Sequence, residues 1–127
     1  MKVLYIEPDR LLAKSVSDYL QSFGHRVEWC TDAQNAINAA DKSIPDVIIM
    51  ELLLAGHSGI EFLYELRSYS EWQAIPVIVF TVLPPESAGL DNPAWQQAGL
   101  AAYHYKPRSS LAALRRSLDK AAAIVSA

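Results

Sequence analysis

Side chains that could carry out chemistry follow several apolar runs of this chain, each at the point where a run ends. They are Glu7, Pro8 and Asp9 after the first run, Glu51 after a central run, Thr81 at the end of a later run and Lys106, followed by Pro107, after the last. Carboxylates supply the oxygen ligands of hard cations, and hydroxyl or ammonium groups donate hydrogen bonds to anionic oxygens. One such placement could arise by chance, but four placements are harder to attribute to chance.

The elements that must position these side chains are short strands alternating with helices. The apolar runs predict five strands, at 3–6, 26–30, 46–50, 76–81 and 101–105. Strands that alternate with helical patterns predict βαβ units and a parallel sheet covered on both faces. Ligands of an open parallel sheet bind beyond the carboxyl ends of its strands, at the switch point of strand order. The sequence therefore predicts that the side chains at the run ends converge there.

Polar residues before the helical patterns predict where the helices begin. Asp9 is a plausible N-cap of the first helix, which runs to about Phe23, and Gly24 follows as a C-cap glycine. The remaining helices are predicted from a cap at Thr31 or Asp32 to about Asp41, from Ser58 to Tyr69, and from a cap at Ser109 or Ser110 onward.

The segment between Thr81 and Gly99 is rich in proline. Pro84 and Pro85 are expected to prevent a regular helix from starting directly after the fourth strand, because proline is tolerated only in a helix's first turn. An irregular loop is predicted, with any helix confined to about 92–98 and Pro93 at its first position.

Composition indicates an ordinary globular protein. The chain has 127 residues, 51% of them hydrophobic and 20% charged, which suits one domain spanning 1–127. The net charge of −3 does not indicate a basic surface of the kind that binds nucleic acid or an anionic membrane. No apolar run approaches the roughly 20 residues that span a bilayer, and the N-terminus turns acidic too early for a signal peptide. A cytoplasmic location is expected.

With these residues in place, the chain resembles the bacterial response-regulator receiver family over essentially its whole length. The resemblance lies in the segments VLYIEPD, PDVIIMELLLAGHSGIEFLYELR, IPVIVFT and GLAAYHYKP. It implies a (βα)5 doubly wound, five-stranded parallel sheet with the flavodoxin-like order. In the family, an aspartate ending the third strand accepts a phosphoryl group from a histidine kinase, and two acids ending the first strand hold Mg²⁺. A Thr or Ser and a lysine contact the phosphoryl oxygens.

Carried over residue by residue, the resemblance is partial. Thr81, Lys106 and Pro107 stand in place, Tyr103 matches the aromatic residue that changes rotamer on activation, and Glu7 matches the first acid. The turn after the third strand keeps its glycines and its metal-binding carbonyl position; these residues are Gly56, Gly59 and Leu53.

Two positions depart from the family. Pro8 replaces the second acid, and Glu51 replaces the acceptor aspartate. Proline has no carboxylate for Mg²⁺, and the extra methylene of Glu51 moves its carboxylate by more than about 1 Å, which can cost about 10²-fold in rate. Mg²⁺ binding is expected to be weak or absent, with Glu7, Asp9 and Glu51 as weak candidate ligands. Lys106 is expected to contact Glu51 or Glu7 instead of a phosphoryl group.

The resemblance and its departures predict a non-enzymatic receiver-like domain that signals through protein contacts without phosphorylation. The partner surface is expected between Pro84 and the last helix, and the partner could be a histidine kinase or an output domain, with a homodimer possible. Two alternatives stay open. One is a working phosphoacceptor domain in a phosphorelay, with Asp9 as a substitute metal ligand. The other is a small-molecule binding module that uses the pocket at the strand ends.

Overall fold

The structure, a computed structural model, describes residues 1–55, 58–90, 93, 95 and 98–126. Residues 124–126 are described by their backbone alone. Its strands are β1 (Lys2–Ile6), β2 (Arg26–Cys30), β3 (Val47–Met50), β4 (Val77–Thr81) and β5 (Leu100–Tyr105). Its helices are α1 (Arg10–Gln21), α2 (Ala33–Lys42), α3 (Gly59–Ser68), α4 (Pro85–Ala88) and α5 (Leu111–Ser126), with 3₁₀ turns at Ser70–Trp72 and Lys106–Arg108.

The five strands form one parallel sheet in the order β2-β1-β3-β4-β5. This arrangement confirms the predicted (βα)5 doubly wound fold. The order reverses direction next to β1, because β1 lies between β2 and β3. The carboxyl ends of β1, β3, β4 and β5 consequently lie side by side along one edge of the sheet.

Helices cover both faces of the sheet, and alternate strand residues point to opposite layers. Leu4 and Ile6 belong to a buried cluster that includes residues of α2 and α3. Val3 and Tyr5 belong to a second cluster that includes residues of α1 and α5. Both faces of these strands are buried, which is why their sequences are continuous apolar runs.

Side-chain caps begin four of the helices at the predicted places. The Asp9 carboxylate accepts hydrogen bonds from the amides of Leu11 and Leu12 at the start of α1. The other capping acceptors are Asp32 for α2, Ser58 for α3 and Ser110 for α5. Each accepts a bond from an amide that has no partner within its own helix.

The segment after β4 differs from its prediction. Helix α4 begins at Pro85, four residues beyond the end of β4, so the expectation that any helix is confined to about 92–98 is wrong. Pro85 occupies the first helical position, where the missing amide hydrogen costs nothing, and Pro84 takes the extended conformation of a cap. Gly89, with φ of +66°, ends the helix after one turn. The helix predicted at about 92–98 falls largely outside the described residues.

Candidate functional site

The side chains predicted to carry chemistry do meet at the carboxyl edge of the sheet. Glu7 follows β1, Glu51 follows β3, Thr81 ends β4 and Lys106 follows β5. Among the described residues, Glu7, Glu51 and Thr81 are the buried polar or charged side chains, with exposed fractions of 1%, 3% and 0%. Carboxylates this deeply buried need partners, because an unpaired buried charge is costly.

The Glu51 carboxylate has partners on both of its oxygens. All of them are donors: the Leu52 amide at 2.6 Å, the Leu53 amide at 3.1 Å and the Thr81 hydroxyl to Oε2, and the Val82 amide at 3.1 Å and Lys106 Nζ at 2.8 Å to Oε1. Three of these donors are backbone amides, which the local turns after β3 and β4 aim at the carboxylate. The side chain that stands at the acceptor position is therefore already fully bonded.

These donors control the protonation of Glu51. Burial alone would raise the pKa of this carboxyl, but hydrogen bonds from Lys106, Thr81 and Leu53 outweigh burial and lower the pKa below its usual value. Glu51 is consequently a carboxylate anion at neutral pH.

Glu7 is the second buried acid of the site. Its Oε1 lies 2.7 Å from Lys106 Nζ and accepts a hydrogen bond of 3.1 Å from the Tyr5 hydroxyl, while its Oε2 accepts from the Asp9 amide at 3.2 Å. Burial, and then the charge of Glu7, raise the pKa of Tyr5. The Trp29 indole donates to the Glu7 carbonyl at 2.8 Å.

Lys106 bridges the two acids, where the sequence predicted a contact with Glu51 or Glu7. Its ammonium contacts one oxygen of each carboxylate, its side chain is only 11% exposed, and it lies 5.5 Å from the centre of the Phe80 ring. Pro107 follows it in the 3₁₀ turn that begins at Lys106. A single ammonium thus faces two carboxylates.

The residues present do not fit a Mg²⁺ ion in this arrangement. Mg²⁺ requires near-octahedral oxygen ligands, yet Pro8 offers no side-chain oxygen and both buried carboxylates are bonded to Lys106. The exposed Asp9 carboxylate caps α1, so it does not join the cluster. Within the described residues, no group of three or more His, Cys, Asp or Glu side chains could hold a metal ion.

The turn after β3 is tightly packed. The Gly59 amide donates to the Leu52 carbonyl at 2.8 Å, and a Cβ on Gly59 would lie only 2.7 Å from Leu52 Cα. Leu53, the predicted carbonyl ligand, directs its amide at Glu51. Gly56 lies outside the described residues.

Tyr103 is connected to the site through the loop after β4. The Thr81 hydroxyl oxygen accepts from the Leu83 amide at 3.1 Å, and the Leu83 carbonyl accepts from the Tyr103 hydroxyl at 2.6 Å. The Tyr103 ring packs edge-on against Trp95, with 6.5 Å between centroids. Burial, and then the charges of Glu51 and Glu86, raise the pKa of Tyr103 to about 12, so this hydroxyl remains a donor at neutral pH.

Sequence reasoning did not identify Tyr5 or the amides of Val82 and Leu83 as parts of the site. A signal for Tyr5 was available, because residues two apart on a strand point to the same side and Tyr5 precedes Glu7 by two. No such signal exists for the two amides, since every residue other than proline has one.

The fold and the site together define a class of protein. A five-stranded parallel sheet of this order, with acids, a threonine and a lysine at its carboxyl edge, is a receiver-type α/β domain. Residues 3–114 match the family model described as the response regulator receiver domain. The chain belongs to this family, whose members act in two-component signal transduction.

Known relatives and solved structures agree with this assignment. The chain is 34% identical over 107 residues to a probable transcriptional regulatory protein, TcrX, of Mycobacterium tuberculosis, covering 84% of the chain and 44% of the relative. It is 34% identical over 105 residues to the KDP operon transcriptional regulatory protein KdpE of Escherichia coli, covering 83% and 44%. The chain thus spans a little under half the length of the curated relatives it matches.

Two solved structures superpose closely on the described fold. The chemotaxis response regulator CheY4 of Vibrio cholerae gives a TM-score of 0.81 at 26% identity, covering 94% of this chain and 97% of that one. The receiver domain of the sensor histidine kinase PA1611 of Pseudomonas aeruginosa, which has a magnesium ion coordinated in its active-site cleft, gives 0.80 at 26% identity and covers 94% of each chain. Within the described part of our chain, no helix has the length and apolar character needed to cross a bilayer.

Proposed function

We propose that this receiver domain signals through protein contacts without being phosphorylated. The observation that carries the proposal is the state of Glu51, whose carboxylate already accepts hydrogen bonds from Thr81 and Lys106. In the receiver family these two side chains contact the phosphoryl oxygens. A phosphoryl group on Glu51 would have to displace the carboxylate's own bonds to find the same donors.

Metal binding is expected to be weak for a related reason. Mg²⁺ would supply charge compensation for a transferring phosphoryl group. Here Lys106 lies between the two buried acids and compensates their charge. The second carboxylate of the family's metal site is missing, because residue 8 is proline. Displacing a buried ammonium from two carboxylates would cost free energy that one Mg²⁺ ion with a reduced ligand set has to supply.

The partner is expected to be another signalling protein. The chain matches the part of TcrX and KdpE that spans 44% of each relative, and both are described as transcriptional regulatory proteins. A histidine kinase and an output domain, in the same or a separate chain, are therefore the leading candidates, and a homodimer is also compatible. We place the contact surface between Pro84 and α5. The net charge of −3 argues against nucleic-acid binding by this domain itself, and we propose a cytoplasmic, non-enzymatic role.

A working phosphoacceptor is the second candidate function. It is favoured by the retained Glu7, Thr81 and Lys106, and by the magnesium ion in the PA1611 receiver. In that case Mg²⁺ or a phosphodonor would have to draw Lys106 away from Glu51. A small-molecule site at the strand ends is a third possibility, but the two carboxylates are 1% and 3% exposed, so a ligand would reach them only if side chains moved.

Phosphorylation can be tested directly with a small phosphodonor. The unmodified protein, Glu51→Asp, and the double variant Pro8→Asp with Glu51→Asp are incubated with acetyl phosphate and Mg²⁺ and measured by intact mass. The double variant has both missing parts and should gain one phosphoryl group, because Thr81 and Lys106 are already in place. Glu51→Asp alone should gain little, since its metal site still lacks a carboxylate.

The matched control is Pro8→Asp with Glu51→Ala, which has the metal carboxylate but no acceptor and should remain unlabelled. Labelling of the unmodified protein at Glu51 would overturn the proposal in favour of the phosphoacceptor. Strong labelling of Glu51→Asp alone would mean that Glu7 holds the metal without help from position 8.

A further inference from the structure

A cleft of about 380 Å³ lies between helix α1 and strand β2. It is lined by residues of α1, among them Arg10, Ala13, Lys14 and Asp18, and by Val27 and Trp29 of β2. Strand β2 forms an edge of the sheet, because among the described strands β1 alone pairs with it. Clefts that bind small molecules have volumes of about 300–1,000 Å³, so this cleft is large enough for a ligand.

The buried part of the lining is apolar, and the exposed part is charged. Ala13 is fully buried, and Val27 and Trp29 pack against the same apolar cluster. Lys14 and Asp18 are both exposed and pair with each other, with 2.9 Å between nitrogen and oxygen. The charges of these two side chains therefore compensate each other.

Arg10 contributes an uncompensated positive charge to the cleft. Its Cζ lies 5.9 Å from the centre of the Trp29 ring, and no carboxylate of the described residues forms an ion pair with it. A guanidinium binds a carboxylate through two parallel hydrogen bonds, and an aromatic side chain packs favourably against another ring. The lining thus fits a planar aromatic molecule that carries one negative charge.

Trp29 also connects the cleft to the buried acids. Its indole nitrogen donates to the Glu7 carbonyl at 2.8 Å, and the Glu7 amide donates to the Cys30 carbonyl at 2.9 Å. The backbone of Glu7 is therefore bonded to β2 through both of its polar groups, while its carboxylate contacts Lys106. A molecule that displaces the Trp29 ring changes a hydrogen bond to the backbone of a buried acid.

We infer that the cleft between α1 and β2 binds a planar aromatic carboxylate, whose ring packs on Trp29 and whose charge pairs with Arg10, and that Trp29 conveys its binding to Glu7. Such a ligand gives the domain an input that requires no phosphoryl group. The value of that input for signalling rests on the proposed function, whereas the binding itself does not.

Binding can be measured with 2-naphthoate, a two-ring aromatic carboxylate, by NMR titration at low ionic strength. The resonance of the Trp29 indole N–H should shift and saturate with a Kd of about 1 mM or tighter, as expected for a ligand of this size. Two further molecules separate the requirements. 2-Naphthylmethanol has the rings without the charge, and cyclohexanecarboxylate has the charge without the aromatic face. Each should bind at least about threefold more weakly than 2-naphthoate.

Substitution of Arg10 tests the charge. Arg10→Gln should weaken 2-naphthoate binding at least about threefold. The matched control is Arg26→Gln, at an exposed position of β2 outside the cleft, which should leave the Kd unchanged. Both positions are exposed, so both variants are expected to fold.

Substitution of Trp29 tests the connection to Glu7. Trp29→Phe keeps an aromatic face and lacks the indole N–H, so its Kd for 2-naphthoate, followed at the Val27 methyl groups, should stay within about threefold of the unmodified value. In the unmodified protein the ligand should shift the ¹³C resonance of the Glu7 backbone carbonyl. This shift should be absent or much smaller in Trp29→Phe. Ring currents of the ligand act in both proteins, so the difference reports the hydrogen bond.

Absence of a saturable shift of the Trp29 indole up to about 10 mM 2-naphthoate would overturn the inference. Equal affinity in Arg10→Gln, or equal binding of either of the two further molecules, would overturn the assigned ligand class. Equal Glu7 carbonyl shifts with and without the indole N–H would overturn the connection to Glu7. None of these outcomes bears on phosphorylation, because no phosphodonor is present. Labelling of the unmodified protein by acetyl phosphate would defeat the proposed function and leave the binding result standing.

Discussion

Replacing Lys106 with methionine should reverse the way in which the stability of this protein depends on pH. Lys106 Nζ lies 2.7 Å from a Glu7 oxygen and 2.8 Å from a Glu51 oxygen, so these two oxygens are no further apart than two hydrogen-bond lengths. Lys106→Met retains the aliphatic stem and removes the ammonium. Two buried carboxylates then face each other with no positive charge between them.

The magnitude follows from the geometry. Two like charges about 5 Å apart repel by about 3 kcal/mol at an effective dielectric near 20. Breaking a buried ion pair by removing one partner typically costs about 3–5 kcal/mol. We therefore expect a loss of about 3–5 kcal/mol in the free energy of unfolding near pH 7. A domain with a stability of about 5–15 kcal/mol survives this loss in most of that range.

The sign of the pH dependence differs between the two proteins. In the unmodified protein the pKa of Glu51 is lowered, so its contribution to stability is complete above the unfolded value of about 4.3 and is lost as the pH falls through the folded value. In Lys106→Met, burial and repulsion raise the pKa of one carboxyl above the unfolded value. The folded state then binds more protons than the unfolded state, and stability rises as the pH falls.

Urea unfolding at about pH 7 and about pH 5 measures both effects. Lys106→Met should regain stability at the lower pH, because the carboxyl whose pKa is raised takes up a proton in the folded state before it does so in the unfolded state. Lys120→Met, at an exposed position on α5, is the control and should change stability by less than about 0.5 kcal/mol. A loss below about 1 kcal/mol in Lys106→Met near pH 7, or a stability of this variant that does not rise on acidification, would refute the reasoning.

Three further substitutions test the surroundings of the site by urea unfolding. Asp9→Ala should cost about 1 kcal/mol by removing the cap of α1, and should leave acetyl phosphate labelling of the Pro8→Asp, Glu51→Asp variant unchanged; loss of that labelling would show that Asp9 binds the metal. Gly59→Ala should cost about 1–3 kcal/mol in the free energy of unfolding, because its Cβ would lie 2.7 Å from Leu52 Cα and 3.0 Å from the Leu52 carbonyl oxygen. An unchanged urea midpoint would mean that the turn can move to accommodate the added methyl group. Arg67→Lys should cost about 1.5–3 kcal/mol in the free energy of unfolding, because one ammonium cannot reach all the carbonyls to which the guanidinium donates. These are the carbonyls of Trp72, Gln73, Ala98 and Gly99. A cost below about 0.5 kcal/mol would contradict this role.

Local features of the chain were predictable because their physical causes are local. The five apolar runs became the five strands, and Asp9 became the cap of α1, since strand burial and capping depend on residues a few positions apart. The single turn of α4 was misread although its cause is equally local. Pro93 was expected at the first position of the helix, when Pro85 is the proline that begins one.

The amino-acid sequence by itself determined which groups reach the carboxyl edge of the sheet, and it revealed Pro8 and Glu51 as departures from the receiver family. A contact of Lys106 with Glu51 or Glu7 was also expected, but only the tertiary structure decided that Lys106 contacts both and which other donors Glu51 accepts from. The bonds of Glu51 to Thr81 and Val82 depend on the register of β3 against β4, and its bond to Lys106 depends on where β5 ends beside β4. Register and strand order are set by the packing of the whole sheet, so no local pattern in the chain specifies which donors one carboxylate will accept from.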